Sequence, residues 1–348
     1  MNLQQVLSPV RSVVGKAVRR AGWTRVATLP HADDQAASPE PVEHVDVFDA
    51  LPVSRQSRLG GTTEPIPDAT PVNELSVVWP WDRSEADLGQ LESATQAALL
   101  ARFGSLDPAD CHWYHEVPTA TGSRMPGAWD LIGGERAYLG DIDLSGKRVF
   151  ELGPATGHLT WWMEQQGADV VAFDAGMQSA IDLIPYGPTT DLDQHREAMQ
   201  FIASVQRSWW WVHEEHNLSA KCVYGSIYDP PDDLGRFDIT TLSAVLLHLQ
   251  SPFHAMRNVA AFTDDAIVVT DLEPPRPWGD TEMRFNPVEG DESSWWTITP
   301  GAMQRMLSNV GFTDQTITRH MQWHRPGHVL DATPIAMSMY TIVARRPS

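Results

Sequence analysis

Glu151, Gly153 and Gly157 crowd one short loop, and Asp174 follows about 20 residues after it. Arg148–Leu152 is an apolar run of strand length broken only by Glu151. Pro154, Ala155 and Thr156 fill the turn between the two glycines, and Leu159, Trp162 and Met163 then recur at helical spacing up to Gly167. Val170–Phe173 is a second apolar run that ends on Asp174 and Ala175. A glycine turn lets backbone approach a ligand at a helix N-terminus, and an acid at the end of the next strand can accept hydrogen bonds from ribose hydroxyls. A dinucleotide would want glycine where Ala155 stands, and Glu151 beside the turn would repel a phosphate and favour a cation. A nucleoside-bearing, cationic cofactor is the chemistry this spacing predicts. The plain alternative is a βαβ unit with a tight turn.

The acid-x-Gly-x-x-x-Gly pattern of Glu151, Gly153 and Gly157 resembles the first motif of the class I S-adenosylmethionine-dependent methyltransferases. The resemblance implies that the loop holds the methionine end of S-adenosyl-L-methionine and that Asp174 holds its ribose. It also implies that the turn after the third strand, at Ser226 and Ile227, meets the adenine; many relatives carry an acid where Ser226 stands. Ser243, at the end of the fourth strand, would flank the sulfonium region. Trp113-Tyr114-His115, Pro126-Gly127-Ala128-Trp129 and Leu144–Val149 resemble one branch of that family, which includes the bacterial tRNA wobble-uridine carboxymethyl-transfer enzymes. That branch brings in a tRNA substrate and a carboxylated form of the cofactor as alternatives.

Two histidines are candidate bases. His115 sits in an aromatic cluster ahead of the first strand, and His248 lies in Val245–Pro252, which resembles a Val-Leu-x-His-Leu-x-x-Pro stretch of the branch. Each has a plain reading as a packed or capping histidine. Trp129, Trp210 and Trp295 are the expected substrate-pocket aromatics. Trp209–Trp211 cannot all share one helix face, so a helix packed over the sheet is an equal reading of that segment. Asp271 and Glu273 end the fifth strand and would bind a cationic or hydroxylated substrate or simply solvate a loop. No metal is expected: Cys111, His112 and His115 lack zinc-site spacing, and Pro326 and Gly327 break any helix that would align His320, His324 and His328.

Positioning these residues calls for strands alternating with helices. The expected fold is α/β, a Rossmann-like, doubly wound, mostly parallel sheet with an N-terminal helical extension. The seventh, reversed strand of a seven-stranded sheet comes from the resemblance. Thr299 and Pro300 mark a helix start and Gly311 its end. Residues 1–27 form a basic amphipathic pattern without an acid, readable as a helix on its own domain or on an anionic membrane surface or partner. Residues 28–75 have linker composition, 76–140 a helical and aromatic cap with a helix at 84–103, and 141–348 the catalytic domain with an insert at 182–216 and a lid at 274–294.

A net charge of −20 opposes a nucleic-acid partner. Two cysteines build no disulfide framework and fit a reducing compartment, so the expected location is cytoplasmic, or peripheral to the inner membrane face through residues 1–27. The function these readings combine to predict is methyl transfer to an oxygen or nitrogen of a small molecule or glycan. The alternatives are a tRNA-modifying enzyme and a catalytically silent cofactor-binding module.

Overall fold

The computed structural model describes residues 106–175, 192–231, 234–274, 279–286, 294–326 and 331–347, with the side chains of 192–200 outside that description. The expected helix at 84–103, residues 1–27 and the linker at 28–75 lie outside the described residues.

The elements follow the sequence pattern closely. Three two-residue strands come first: β1 (Val117–Pro118), β2 (Arg124–Met125) and β3 (Trp129–Asp130). A single helical turn, α1 (Glu135–Tyr138), leads to β4 (Arg148–Leu152), α2 (His158–Gln165) and β5 (Asp169–Ala175). The long helix α3 (Leu192–His216) precedes β6 (Lys221–Gly225) and β7 (Phe237–Ser243). Helix α4 (Pro252–Phe262) runs straight into β8 (Thr263–Leu272). A hairpin of β9 (Met283–Phe285) and β10 (Trp296–Ile298) follows, then α5 (Pro300–Asn309), β11 (Asp314–His324) and β12 (Ile335–Arg345). Thr299 caps α5 through its hydroxyl with Pro300 at the first position, as its sequence predicts.

The main sheet runs β3-β11-β12-β8-β7-β4-β5-β6. Strands β6, β5, β4, β7 and β8 are parallel, and β12 runs antiparallel between β8 and β11. This is the expected doubly wound, mostly parallel sheet, and its reversed strand β12 lies inside the sheet rather than at its edge. An eighth strand, β3, is added at the edge, where Trp129 and Asp130 pair with His324 and Trp323. The aromatic segment at 106–130 is therefore built onto the sheet rather than resting above it. Two cores flank the sheet. One gathers Val149, Val170 and Trp210 under α2 and α3; the other gathers Phe150, Phe173 and Met303 under α4 and α5. Burial on both faces explains why β4, β5 and β8 read as nearly continuous apolar runs. Of the expected lid at 274–294, the described part forms β9, which is paired with β10. Among the described residues, no helix is long and apolar enough to cross a membrane.

The edge is pinned by charge. Arg325 donates to Glu116 and to the carbonyl of Gly127, and its backbone N–H donates to Ala128. Glu116 is 6% exposed, so loss of its guanidinium would leave a buried carboxylate facing only Arg124, at 3.6 Å. Arg325→Met is expected to destabilise the fold by on the order of 3 kcal/mol, read by urea unfolding.

Candidate cofactor site

Parallel strands leave a crevice at their carboxyl ends, and the residues singled out by spacing converge there. Leu152 of β4 is in register with Phe173 of β5, which sets Glu151 and Asp174 at the ends of adjacent strands. They share a face with Val149, Val170 and Ala172, because side chains alternate along each strand. Glu151 is 1% exposed and its Oε2 accepts a 2.5 Å hydrogen bond from Thr160 Oγ1. Burial pushes its carboxyl up to about 7, with Thr160 pulling the other way and Asp174 adding to the rise. Asp174 is raised as well, again by burial first, against bonds from the Ala175 N–H (2.8 Å) and the Gln206 amide (3.3 Å). Among the described residues, no lysine or arginine contributes to either shift.

The loop between them has the conformation its glycines predict. Gly153 (φ 72°) and Gly157 (φ 84°) are left-handed, and Gly157 caps α2. A Cβ on Gly157 would meet Trp209 Cδ1 at 2.9 Å, and one on Gly153 would meet Val245 Cγ2 at 3.0 Å. Pro154 is buried, and its carbonyl closes the turn by accepting from the Gly157 N–H. Ala155 is left-handed too (φ 48°), although it carries a Cβ, as is Ala244 (φ 48°) after Ser243. Such residues are strained by about 1 kcal/mol or more and gather at functional sites. Thr156 is fully buried, and its hydroxyl lies 3.2 Å from His115 Nδ1 and accepts from the His115 N–H.

His115 therefore packs on the glycine loop, as a group near this site must. Ser243 is half-buried at the end of β7, in register with Thr270. His248 is half-buried, closing a short 3-10 turn just beyond β7. Ser226 is half-buried at the end of β6 and accepts from the Tyr228 N–H, so its hydroxyl shapes the turn. Ile227 sends its side chain into the core under α4 and α5. Trp295 is buried with its N–H on the Leu247 carbonyl. Trp129 is buried at the sheet edge, 4.4 Å ring to ring from His324. Trp210, expected at a substrate pocket, is fully buried, and its indole N–H donates to Tyr224 Oη at 2.9 Å. It packs α3 on the sheet and lines no opening. Its large apolar face and single donor are both satisfied inside.

Four groups were not singled out from sequence. Thr160 links Glu151 to the Trp209 N–H at 3.0 Å. Gln206 reaches Asp174. Glu135 and His158 are paired at 3.1 Å behind the loop. Burial would raise the Glu135 pKa, but His158 and backbone N–H groups outweigh it and hold it below the usual range. Tyr138 lies beside Asp271, whose carboxyl is buried and pushed up to about 7 by that burial against the Leu272 N–H. The sequence did carry a cue for Gln206: it is the polar member of an otherwise apolar stripe, Ala203-Gln206-Trp210, on α3. A cavity of about 330 Å³ lined by Arg136, Asp143, Trp162 and Gln166 lies by the amino end of β4, away from these acids.

A family model for a methyltransferase domain matches residues 124–317, more than half of the chain. The chain belongs to the methyltransferase-domain family. No curated protein matches it. Among solved structures it is similar to the N-terminal domain of EvdMO1 crystallised with S-adenosylhomocysteine (SAH) and D-fucose. That match is 16% identical, with a TM-score of 0.43, and covers 72% of this chain and 97% of that one. It is also similar to the 1,6-didemethyltoxoflavin-N1-methyltransferase of Burkholderia thailandensis (13% identity, TM-score 0.38, 82% and 93% covered). A third is the magnesium protoporphyrin IX methyltransferase of Synechocystis PCC 6803 (14% identity, TM-score 0.37, 62% and 77% covered). Identities and TM-scores this low carry no argument about substrate.

Two outcomes follow for this methyltransferase domain. The folded pKa of Glu151 lies above its ordinary value of 4.5, so folding favours the protonated acid. The resulting penalty is absent below about pH 4.5 and complete above about pH 7. Glu151→Gln should therefore stabilise the apo protein by on the order of 2–3 kcal/mol at pH 8 and little at pH 4, as compared by urea unfolding at both values. The two loop positions should respond with opposite signs. Ala155→Gly relieves a strained φ and should hold or raise the melting temperature. Gly157→Ala should lower stability by about 2 kcal/mol through φ and through Trp209.

Proposed function

We propose that the chain is an S-adenosylmethionine-dependent methyltransferase acting on an oxygen or nitrogen of a small molecule or glycan. The observation that carries the reading is a pair of acids, the buried Glu151 and the half-buried Asp174, on either side of a glycine turn and with no cation paired to them among the described residues. Burial raises both carboxyls, Asp174 adds to the rise of Glu151, and together they attract positive charge. A ligand with a sulfonium, an ammonium and a ribose suits that set; a phosphate does not.

In this reading Glu151 faces the ammonium side and Asp174 accepts from the ribose hydroxyls. Gly153 and Gly157 let the loop backbone close on the methionine end, with His115 and Thr156 behind it. The half-exposed Ser226 and the Ile227 backbone border the adenine end, and Ser243 the sulfonium. S-adenosylmethionine, when bound, supplies a methyl group on a positively charged sulfur. The chain's part is mainly alignment of an acceptor with that methyl and removal of a proton where the acceptor has one. His248, beyond β7, and Asp271, at the end of β8, stand on the acceptor side with Tyr138. The ordinary cofactor is favoured over the carboxylated form, which would bring a further anion to Glu151 and Asp174. The charge of −20 weighs against a tRNA acceptor. Turnover on any acceptor would exclude a silent binding module.

The test is calorimetric titration of S-adenosylmethionine into wild type and Asp174→Ala. Binding that weakens by on the order of 1–3 kcal/mol in the variant supports the reading, because ribose hydroxyls lose their charged acceptor. Wild type that takes up no S-adenosylmethionine sinks it.

A further inference from the structure

We propose that Gln206, on α3, is a positioning residue that fixes the Asp174 carboxylate for the cofactor ribose; the inference rests on the reading above. Gln206 is 3% exposed, so its side-chain amide has no access to bulk water for its hydrogen bonds. Its Nε2 lies 2.9 Å from the Ala175 carbonyl and 3.3 Å from Asp174 Oδ2. A backbone carbonyl and a carboxylate are acceptors, so the amide must turn its NH₂ toward both, and its orientation follows from chemistry. Asp174 Oδ1 is meanwhile held by the Ala175 N–H at 2.8 Å. One carboxylate oxygen is thus fixed from its own backbone and the other from α3. Each keeps a lone pair for an incoming hydroxyl.

The geometry of α3 makes this more than a local contact. One turn on, Trp209 presses on Gly157 and donates through Thr160 to Glu151. A single face of α3 therefore reaches the acid of each strand. Removing the Gln206 amide takes away the donor to Asp174 Oδ2 and leaves the Ala175 N–H as the one remaining donor to that carboxylate among the described residues. A carboxylate poised by a second residue loses less entropy when it engages a ribose than one that must be ordered on binding.

The experiment titrates SAH and its 2′,3′-dideoxyribose analogue into the full-length wild type, Gln206→Met and Gln206→Glu, with melting temperatures recorded alongside. Gln206→Met keeps length and removes the donor. It is expected to bind SAH about tenfold more weakly than wild type and the dideoxy analogue within about twofold. Gln206→Glu keeps the shape but sets a carboxylate against two acceptors, so its loss for SAH should be at least as large; it is the deciding variant if Gln206→Met does not fold. SAH affinity unchanged in a folded variant overturns the proposal. Equal weakening for both ligands also overturns it, since a merely structural role would act on both. Wild type that binds neither ligand defeats the cofactor reading itself, and a wild type that binds SAH while the variants match it defeats only the role of Gln206.

Discussion

Two neighbouring carboxylates, one buried and one half-buried, with no counter-cation among the described residues, are the constraint from which the rest of this architecture follows. Burial makes each acid harder to ionise, and Asp174 adds to the rise that takes Glu151 to about 7. The groups that bear on them are a threonine hydroxyl, a backbone N–H and a glutamine amide, all neutral dipoles. A lysine would have settled the charge and closed the site to cations. Neutral donors hold the acids in place and leave the field unbalanced. The strain at Ala155 and Ala244 falls in the two loops that border the same crevice.

The supports of the site come from far apart in the chain. A second polar chain crosses the same sheet face. Gln322 Nε2 donates to His320 Nδ1 at 3.1 Å, so His320 is neutral with its proton on Nε2, which donates to Thr341 Oγ1 at 2.9 Å. Burial, which lowers the His320 pKa, agrees with that tautomer. Thr341 and Thr270 both donate to the Tyr138 carbonyl, an orphan at the end of the short α1. Three strands thus tie down the turn that carries Tyr138, and the neighbour of Thr270 in sequence is the buried Asp271.

Much of the fold was legible because its strands are buried on both faces and its turns carry glycine. Gly153 and Gly157 have the positive φ their spacing calls for, and Asp174 ends β5 as the apolar run before it indicates. The edge strand β3 was not legible: two residues show no period, and pairing with His324 depends on a segment almost 200 residues away. Trp210 misled for a related reason. Three adjacent tryptophans show that their environments differ but not which of them turn inward; Trp209 and Trp210 both do, and Trp210 meets Tyr224, on another element. Thr160 and Gln206 escaped notice because a hydroxyl and an amide on helices are ordinary until the acids they face are known.

The pairing of β3 with β11 also sets an order of events. The wall of the crevice that holds His115 and Trp129 is braced by His324 and Arg325, near the end of the chain. The strands that carry Glu151 and Asp174 are joined by a short local crossover and can form early, while contacts of such long sequence separation close late. During synthesis from the N-terminus, the acids can therefore be in place while β11 is still within the ribosome, with the wall unseated beside them. For a time the nascent chain carries the two acids before the strand that braces His115 and Trp129 has formed.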